Sequence, residues 1–166
     1  MKIKLIVLLA LVAICSACAY KFSGASIPPQ MKTVNVRVFE NNAPLVVPTL
    51  SNQLTEALKT RIRNQTSLSV STGEADAVFE GRITGYDIKP VALQGTSTPT
   101  AGANRLTITV SVKYRNNVKD HEKESFEESF TKYLDYSPTA AAIPAAIENI
   151  NKQLTEDIFN RAFAQW

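Results

Sequence analysis

The sequence predicts an α+β fold, a two-layer sandwich in which a mostly antiparallel or mixed sheet of four to five strands carries two helices on one face. Three observations point there. Period-two apolar runs fill the middle of the chain, and two helical stripes stand apart from them, one early and one at the end. The resulting order of strand, helix, three or four strands and helix suits one sheet with both helices packed on the same side. At 166 residues the chain has the length of a single ordinary domain, and 45% hydrophobic residues can supply its core.

The first residues are set apart from that domain. Met1-Lys2-Ile3-Lys4 is a short positive start, and Leu5 to Ile14 is an unbroken apolar run. As a helix the run spans about 15 Å, half of the roughly 30 Å that a bilayer core requires. A positive start, a short apolar stretch and small residues at its end read as a secretory signal peptide. Cys15-Ser16-Ala17-Cys18 resembles a bacterial lipobox, in which Cys18 becomes the lipidated first residue of the mature protein. The match departs from the usual pattern at Cys15, where a larger apolar residue is expected. An ordinary signal peptide cut after Ala17 is the competing reading, and a cut before Cys15 is disfavoured because Ile14 is not small. Each buried methylene contributes about 0.8 kcal/mol, and stable anchoring takes at least two acyl chains, which a lipoprotein cysteine carries. The expected organisation is therefore a signal peptide over 1–17, a lipidated tether over 18–32 and a single α+β domain over 33–166.

The tether, with Pro28-Pro29, is stiff and without periodicity. Thr33 to Phe39 alternates, Val34, Val36 and Val38 on one side and Asn35 and Arg37 on the other, and reads as a strand. Asn41-Asn42-Ala43-Pro44 interrupts it. From Thr49 the spacing of Leu50, Leu54, Ala57, Leu58 and Ile62 is helical, with Lys59, Arg61 and Arg63 late in the helix, where the dipole favours them. Asn64-Gln65-Thr66 ends it.

Leu68-Ser69-Val70 is a short strand, and Asp76 to Ile88 a long one with Ala77, Phe79, Gly81 and Ile83 on one face. Gly81 and Gly85 inside that strand mark a bulge or a close backbone approach. Leu106, Ile108, Val110, Val112 and Tyr114 alternate with Thr107, Thr109, Ser111 and Lys113 in the clearest strand of the chain. Between the two lies an expected loop from Pro90 to Ala103, a candidate contact segment on length. After the turn at Asn116-Asn117, Glu122 to Tyr133 reads as an edge strand, too charged for a central one. Pro144 falls in the first turn of a closing helix marked by Ile147, Ile150, Leu154, Ile158 and Ala162, with Phe159, Phe163 and Trp166 widening its face.

Composition removes several classes of function. The formal charge of +3 falls to +1 once Lys2 and Lys4 go with the leader, which argues against nucleic acid as a partner. One histidine, His121, and two cysteines, both at the start, leave no metal centre, Cys–His nucleophile or internal disulfide framework, and no cofactor is expected. His121 among Lys119, Asp120, Glu122 and Lys123 reads as a solvated turn residue. Glu122, Glu124, Glu127 and Glu128 could form an acid–base pair, but their interleaving with lysines reads as a solvated edge. No enzymatic activity is expected. Arg82, Lys89, Arg105, Lys113 and Arg115 lie on or beside the two longest strands, where they are either solvated face residues or a patch for a phosphorylated glycolipid.

Several phrases together resemble a known family. They are Phe22-Ser23-Gly24-Ala25-Ser26-Ile27-Pro28-Pro29, Phe39-Glu40-Asn41-Asn42-Ala43-Pro44, Leu54-Thr55-Glu56-Ala57-Leu58 and Phe79-Glu80-Gly81-Arg82-Ile83-Thr84-Gly85-Tyr86 with Pro90-Val91-Ala92. Asn104 to Val110 and Leu154 to Ala162 with a terminal Trp166 complete the set. In this order, over essentially the whole mature chain, they resemble the lipopolysaccharide-assembly lipoproteins, the LptE family, in its Bacteroidetes form. Pro144 behind Ala140-Ala141-Ala142 departs from that pattern, where polar residues are expected. The resemblance implies a lipid-anchored protein on the periplasmic side of the outer membrane. It also implies a partner, an LptD-like outer-membrane β-barrel that such proteins plug and help to assemble while lipopolysaccharide is delivered to the surface. The alternative is a stand-alone envelope lipoprotein that binds another protein or lipid with the same fold. The five basic candidates rest on local reasoning, since the family's lipopolysaccharide contacts do not align with them residue by residue.

Overall fold

The computed structural model describes residues 27–91, 102–139 and 142–164. Cys15, Cys18, most of the tether, residues 92–101 of the expected loop, Ala140, Ala141 and Trp166 lie outside the described residues. Six strands and two α-helices follow one another as β1 (Thr33–Val36), β2 (Glu40–Asn41), α1 (Leu50–Gln65), β3 (Ser69–Ser71), β4 (Ala77–Val91), β5 (Ala103–Asn116), β6 (Phe126–Tyr136) and α2 (Ala142–Phe163). The α+β expectation holds, with one strand more than the upper count.

The sheet order is β3-β1-β4-β5-β6, and β2 continues along β4 beyond the end of β1. β1 pairs in parallel with β3 and with β4, so the chain needs a crossover between them, and α1 provides it. β4, β5 and β6 form an antiparallel meander. The sheet is mixed because short loops join its second half and a helix joins its first.

Four boundaries differ from the sequence reading. The first strand stops at Val36, because Phe39 leaves the alternation. Its ring is buried, its N–H donates to Thr55 Oγ1 at 3.0 Å and its carbonyl accepts from Ser51 Oγ, so α1 takes over the backbone groups that a strand partner would use. Pairing resumes at Glu40↔Arg82. The Pro90–Ala103 loop is shorter than expected, since Pro90 and Val91 pair with Asn104 and Ala103. Proline is tolerated there because, among the described residues, no strand pairs with β4 on the side away from β5 at that height. Glu122–Glu124 is one 3₁₀ turn rather than strand, and the edge strand runs from Phe126 to Tyr136. Asn116 Nδ2 holds Glu124 at 2.8 Å and Ser125 Oγ accepts from the Asn116 N–H, which closes the β5–β6 turn before pairing begins.

Both strand glycines do what their position suggests. A Cβ on Gly81 would lie 2.7 Å from the ring of Phe39, so the missing side chain makes room for that ring. At Gly85 the register with β5 shifts by one residue, leaving Thr84 unpaired as a bulge. Before it Ala77, Phe79 and Ile83 face the helices; after it the inward residues are Tyr86 and Ile88. A one-residue slip exchanges the faces of a strand, and here it keeps apolar side chains inward along the whole of β4.

The helices cover one face. α1 buries Leu50, Leu54, Thr55, Leu58 and Ile62, and α2 buries Ile147, Ile150, Leu154, Ile158, Phe159 and Phe163. They meet Leu106, Ile108, Val110 and Val112 of β5, all fully buried. Phe79, Tyr114 and Phe163 form an aromatic cluster with centroids 4.8 to 5.9 Å apart. The Tyr114 hydroxyl is buried there with no hydrogen-bond partner among the described residues, and burial pushes its pKa up. Later residues of α2 meet earlier residues of β6, Arg161 with Glu128 at 2.6 Å and Asp157 with Lys132 at 2.7 Å, so α2 runs back along the strand it follows. α1 likewise returns from β1 to the start of parallel β3, and the two helices are parallel to each other. Arg61 ties them together through the Lys152 carbonyl at 3.0 Å.

Candidate functional site

Among the described residues, no helix lies on the opposite face of the sheet. Alternation places Glu80, Arg82, Asp87 and Lys89 of β4, Arg105, Thr107, Thr109, Ser111, Lys113 and Arg115 of β5, and Glu127, Ser129, Thr131, Tyr133 and Asp135 of β6 on it. All five basic residues singled out from sequence therefore lie on one surface. They are not an unopposed cationic patch. Each has a carboxylate within 4 Å.

The charges gather at two ends. At one, Glu80 Oε1 accepts from Arg37 at 2.6 Å and from Arg115 at 2.9 Å, while Glu127 stands 3.9 Å from both Arg82 and Lys113. Register explains this, since Glu80, Lys113 and Glu127 sit opposite one another across three strands. A shallow depression of about 410 Å³ opens among Arg37, Glu80, Arg82, Ser111, Lys113 and Glu127. At the other end Lys89 faces Arg105 directly, a repulsive cross-strand pair. It is relieved by Asp87 at 2.6 Å from Lys89 and by a bidentate Arg105–Asp135 pair at 2.7 and 2.9 Å. That hydrogen-bonded pair holds the Asp135 carboxyl below its ordinary pKa and raises that of Arg105. The Arg105 guanidinium also lies 4.2 Å above the ring of Tyr133, which is 55% exposed.

Between these ends β5 and β6 present a band of hydroxyls. Ser111 faces Ser129, Thr109 faces Thr131 with the two Oγ1 atoms 3.0 Å apart, and Thr107 faces Tyr133. Such a face can exchange hydrogen bonds and ion pairs over a flat area.

The carboxylates considered as an acid–base pair are separated. Glu127 points to the open face and Glu128 to α2, because neighbours on a strand face opposite ways, and Glu124 is held in the β5–β6 turn. His121 Nδ1 lies 2.6 Å from Glu124 Oε1, so its role is to fix that turn. Among the described residues no three His, Cys, Asp or Glu side chains converge as a metal site. Sequence reasoning missed the acidic partners. Asp87, two residues before Lys89, was within its reach; Glu80, Glu127 and Asp135 require the pairing register.

A family model described as lipopolysaccharide assembly, LptE, matches residues 31–162. No curated protein matches the chain in sequence. Among solved structures, a hypothetical protein from Chlamydia trachomatis is similar with a TM-score of 0.58 at 8% identity, over 81% of this chain and 99% of that one. A minor lipoprotein from Acinetobacter baumannii reaches 0.44 at 14% identity, over 80% and 96% of the two chains. A protein from Xanthomonas campestris reaches 0.49 at 13%, over 81% and 87%. At these identities the first likeness speaks for the fold, while the family model covers every strand, α1 and all but the last residue of α2, so this chain belongs to the LptE lipopolysaccharide-assembly family.

Proposed function

We propose that this protein is a lipid-anchored component of the outer membrane, on its periplasmic side, that partners an LptD-like β-barrel and supports the assembly and transport of lipopolysaccharide. The family match over 31–162 carries the reading. The open sheet face supports it, because a broad surface of balanced charges and hydroxyls suits work by shape and hydrogen bonding. No described helix is long and apolar enough to cross a membrane, so membrane attachment is assigned to acyl chains on Cys18.

Arg82, Lys89, Arg105, Lys113 and Arg115 are the proposed contacts to lipopolysaccharide or to the partner. An incoming phosphate must displace a carboxylate from any of them. Glu127, held at 3.9 Å by two cations, is the loosest of these carboxylates, so Arg82 and Lys113 are where an anion enters at least cost.

The test is affinity purification of the full-length protein from detergent-solubilised membranes. A large outer-membrane β-barrel is expected beside it, and Cys18→Ala is expected to move the protein into the soluble fraction when that partner is depleted. Purification without any barrel, together with unchanged surface lipopolysaccharide on depletion, would favour the stand-alone lipoprotein instead.

A further inference from the structure

The two edges of the sheet are built differently. On one side the strands are short, three residues in β3 and two in β2. On the other, β6 pairs with β5 from Phe126 to Tyr136 without a register shift, and among the described residues no strand pairs with its outer side. Such an edge presents a row of unpaired N–H and C=O groups, which natural sheets blunt with short strands, prolines, bulges or lysines. β6 contains neither proline nor glycine. Its one lysine, Lys132, is held by Asp157 of α2 at 2.7 Å. The helical cover also thins towards this edge. Leu106, Ile108, Val110 and Val112 of β5 are fully buried, whereas Phe130 and Leu134, on the same face of β6, are only partly buried.

A second β6, antiparallel about a two-fold axis, would continue the sheet and keep both helical layers on one side, provided that facing residues share the same parity. The residues of β6 favour one such register. With Phe130 on the axis, Glu128 faces Lys132 of the second copy, Phe126 faces Leu134 and Phe130 faces itself, while on the open face Ser129 faces Thr131 and Glu127 faces Tyr133. The axis repeats each contact, so two opposite-charge pairs form. They join ion pairs already present, Arg161–Glu128 and Lys132–Asp157, into rows of alternating sign. Neighbouring registers lose this match. With Thr131 on the axis, Glu127 faces Asp135; with Ser129 there, Lys132 faces Phe126 and Glu128 faces Phe130; with Lys132 there, the lysine faces itself.

We infer that the outer edge of β6 is where a second copy of this chain adds its own β6, antiparallel, with Phe130 on the two-fold axis. The inference goes beyond the proposed function and does not depend on the barrel partnership.

Measurements on the full-length protein in detergent test it. In analytical ultracentrifugation the purified particle should hold two copies of the chain. Ser129→Cys and Thr131→Cys, on separately tagged copies expressed together, should form a mixed disulfide on mild oxidation, since facing residues bring their Cα atoms to about 5 Å. Either variant alone should give at least tenfold less disulfide, because its two thiols then start from Cα atoms about 8 Å apart, outside the roughly 7 Å that a disulfide bridges. Ser129→Glu with Thr131→Glu sets glutamates face to face on both sides of the axis and should weaken self-association at least tenfold. Mixing that variant with Ser129→Lys, Thr131→Lys should restore the two-copy particle. Both positions are exposed, so the folded state survives the changes, and thermal unfolding of the variants verifies this. Equal disulfide yields from single and mixed variants, or a glutamate variant that pairs undiminished, overturns the inference. A single-copy particle that still co-purifies with a β-barrel overturns it too, and leaves the proposed function standing.

Discussion

One face of the sheet is apolar and buried under helices, and the other is charged, hydroxylated and open, yet the same strands build both. On the covered face Phe79, Ile83, Leu106, Ile108 and Val110 are fully buried, and stability there comes from removing apolar area from water. On the open face the same strands contribute ion pairs between half-exposed side chains. Such pairs contribute little to stability, so their arrangement is free to serve recognition. The comparison teaches that substitutions of equal size should act through folding on one face and through binding on the other.

The largest break in that comparison should come from the covered face. Phe79→Ala removes a ring packed against Tyr114 and Phe163 and should destabilise the domain by about 3–5 kcal/mol in urea unfolding. A loss under about 1 kcal/mol would show that the helical layer is not packed on the sheet as described. Next comes Gly81→Ala, whose new Cβ meets the Phe39 ring at 2.7 Å; an overpacking cost of about 1–3 kcal/mol is expected, relieved when Phe39→Leu is added.

A smaller effect belongs to Asp76, which joins the starts of β1 and β4. Its Oδ2 accepts from the N–H groups of Lys32 and Thr33 and from Thr33 Oγ1, at 2.8 to 2.9 Å. These hydrogen bonds, led by that from Lys32 N–H, hold its carboxyl below the ordinary range. A lowered folded-state pKa stabilises the protein above the unfolded value and loses that contribution as pH falls through the folded value. Asp76→Asn should therefore cost roughly 1 kcal/mol near neutrality, and the gap to wild type should close below about pH 4. A gap that stays constant down to pH 2 would remove the charge from the account.

The smallest change in stability should come from the open face. Lys113→Ala should shift stability by less than about 1 kcal/mol, because its nearest carboxylate stands 3.9 Å away. If lipopolysaccharide contacts this surface, the same variant should weaken binding to immobilised lipopolysaccharide while its unfolding curve stays in place. Equal losses in both measurements would dissolve the distinction between the faces.

Part of this division was legible from the residues. The alternation in β5 set Thr107, Thr109, Ser111 and Lys113 apart from the apolar face, as the structure has them, and the helical stripe of α2 identified Ile147, Ile150, Leu154 and Ile158 as buried. The bulge was signalled by Gly85. What failed were places where a distant group captured the backbone. Phe39 left its strand because Thr55 and Ser51 bind it, and Glu122–Glu124 turned because Asn116 reaches Glu124. Thr55, Asn151 and Thr155, polar and buried on the two helices, carry no periodic signal that separates them from solvated positions. The site was the least legible part. A row of basic residues was visible, but that Glu80, Glu127 and Asp135 face them depends on how β4, β5 and β6 are aligned.

Local periodicity and turn residues by themselves determined the number of helices, the long strands and which side of each is apolar, because those properties arise from side-chain direction along a few residues of chain. Tertiary structure alone decided the parallel pairing of β1 and the neutralisation of the basic face. Each of these joins residues distant in sequence, and backbone pairing and Coulomb attraction act only where folding has brought the partners within a few ångströms.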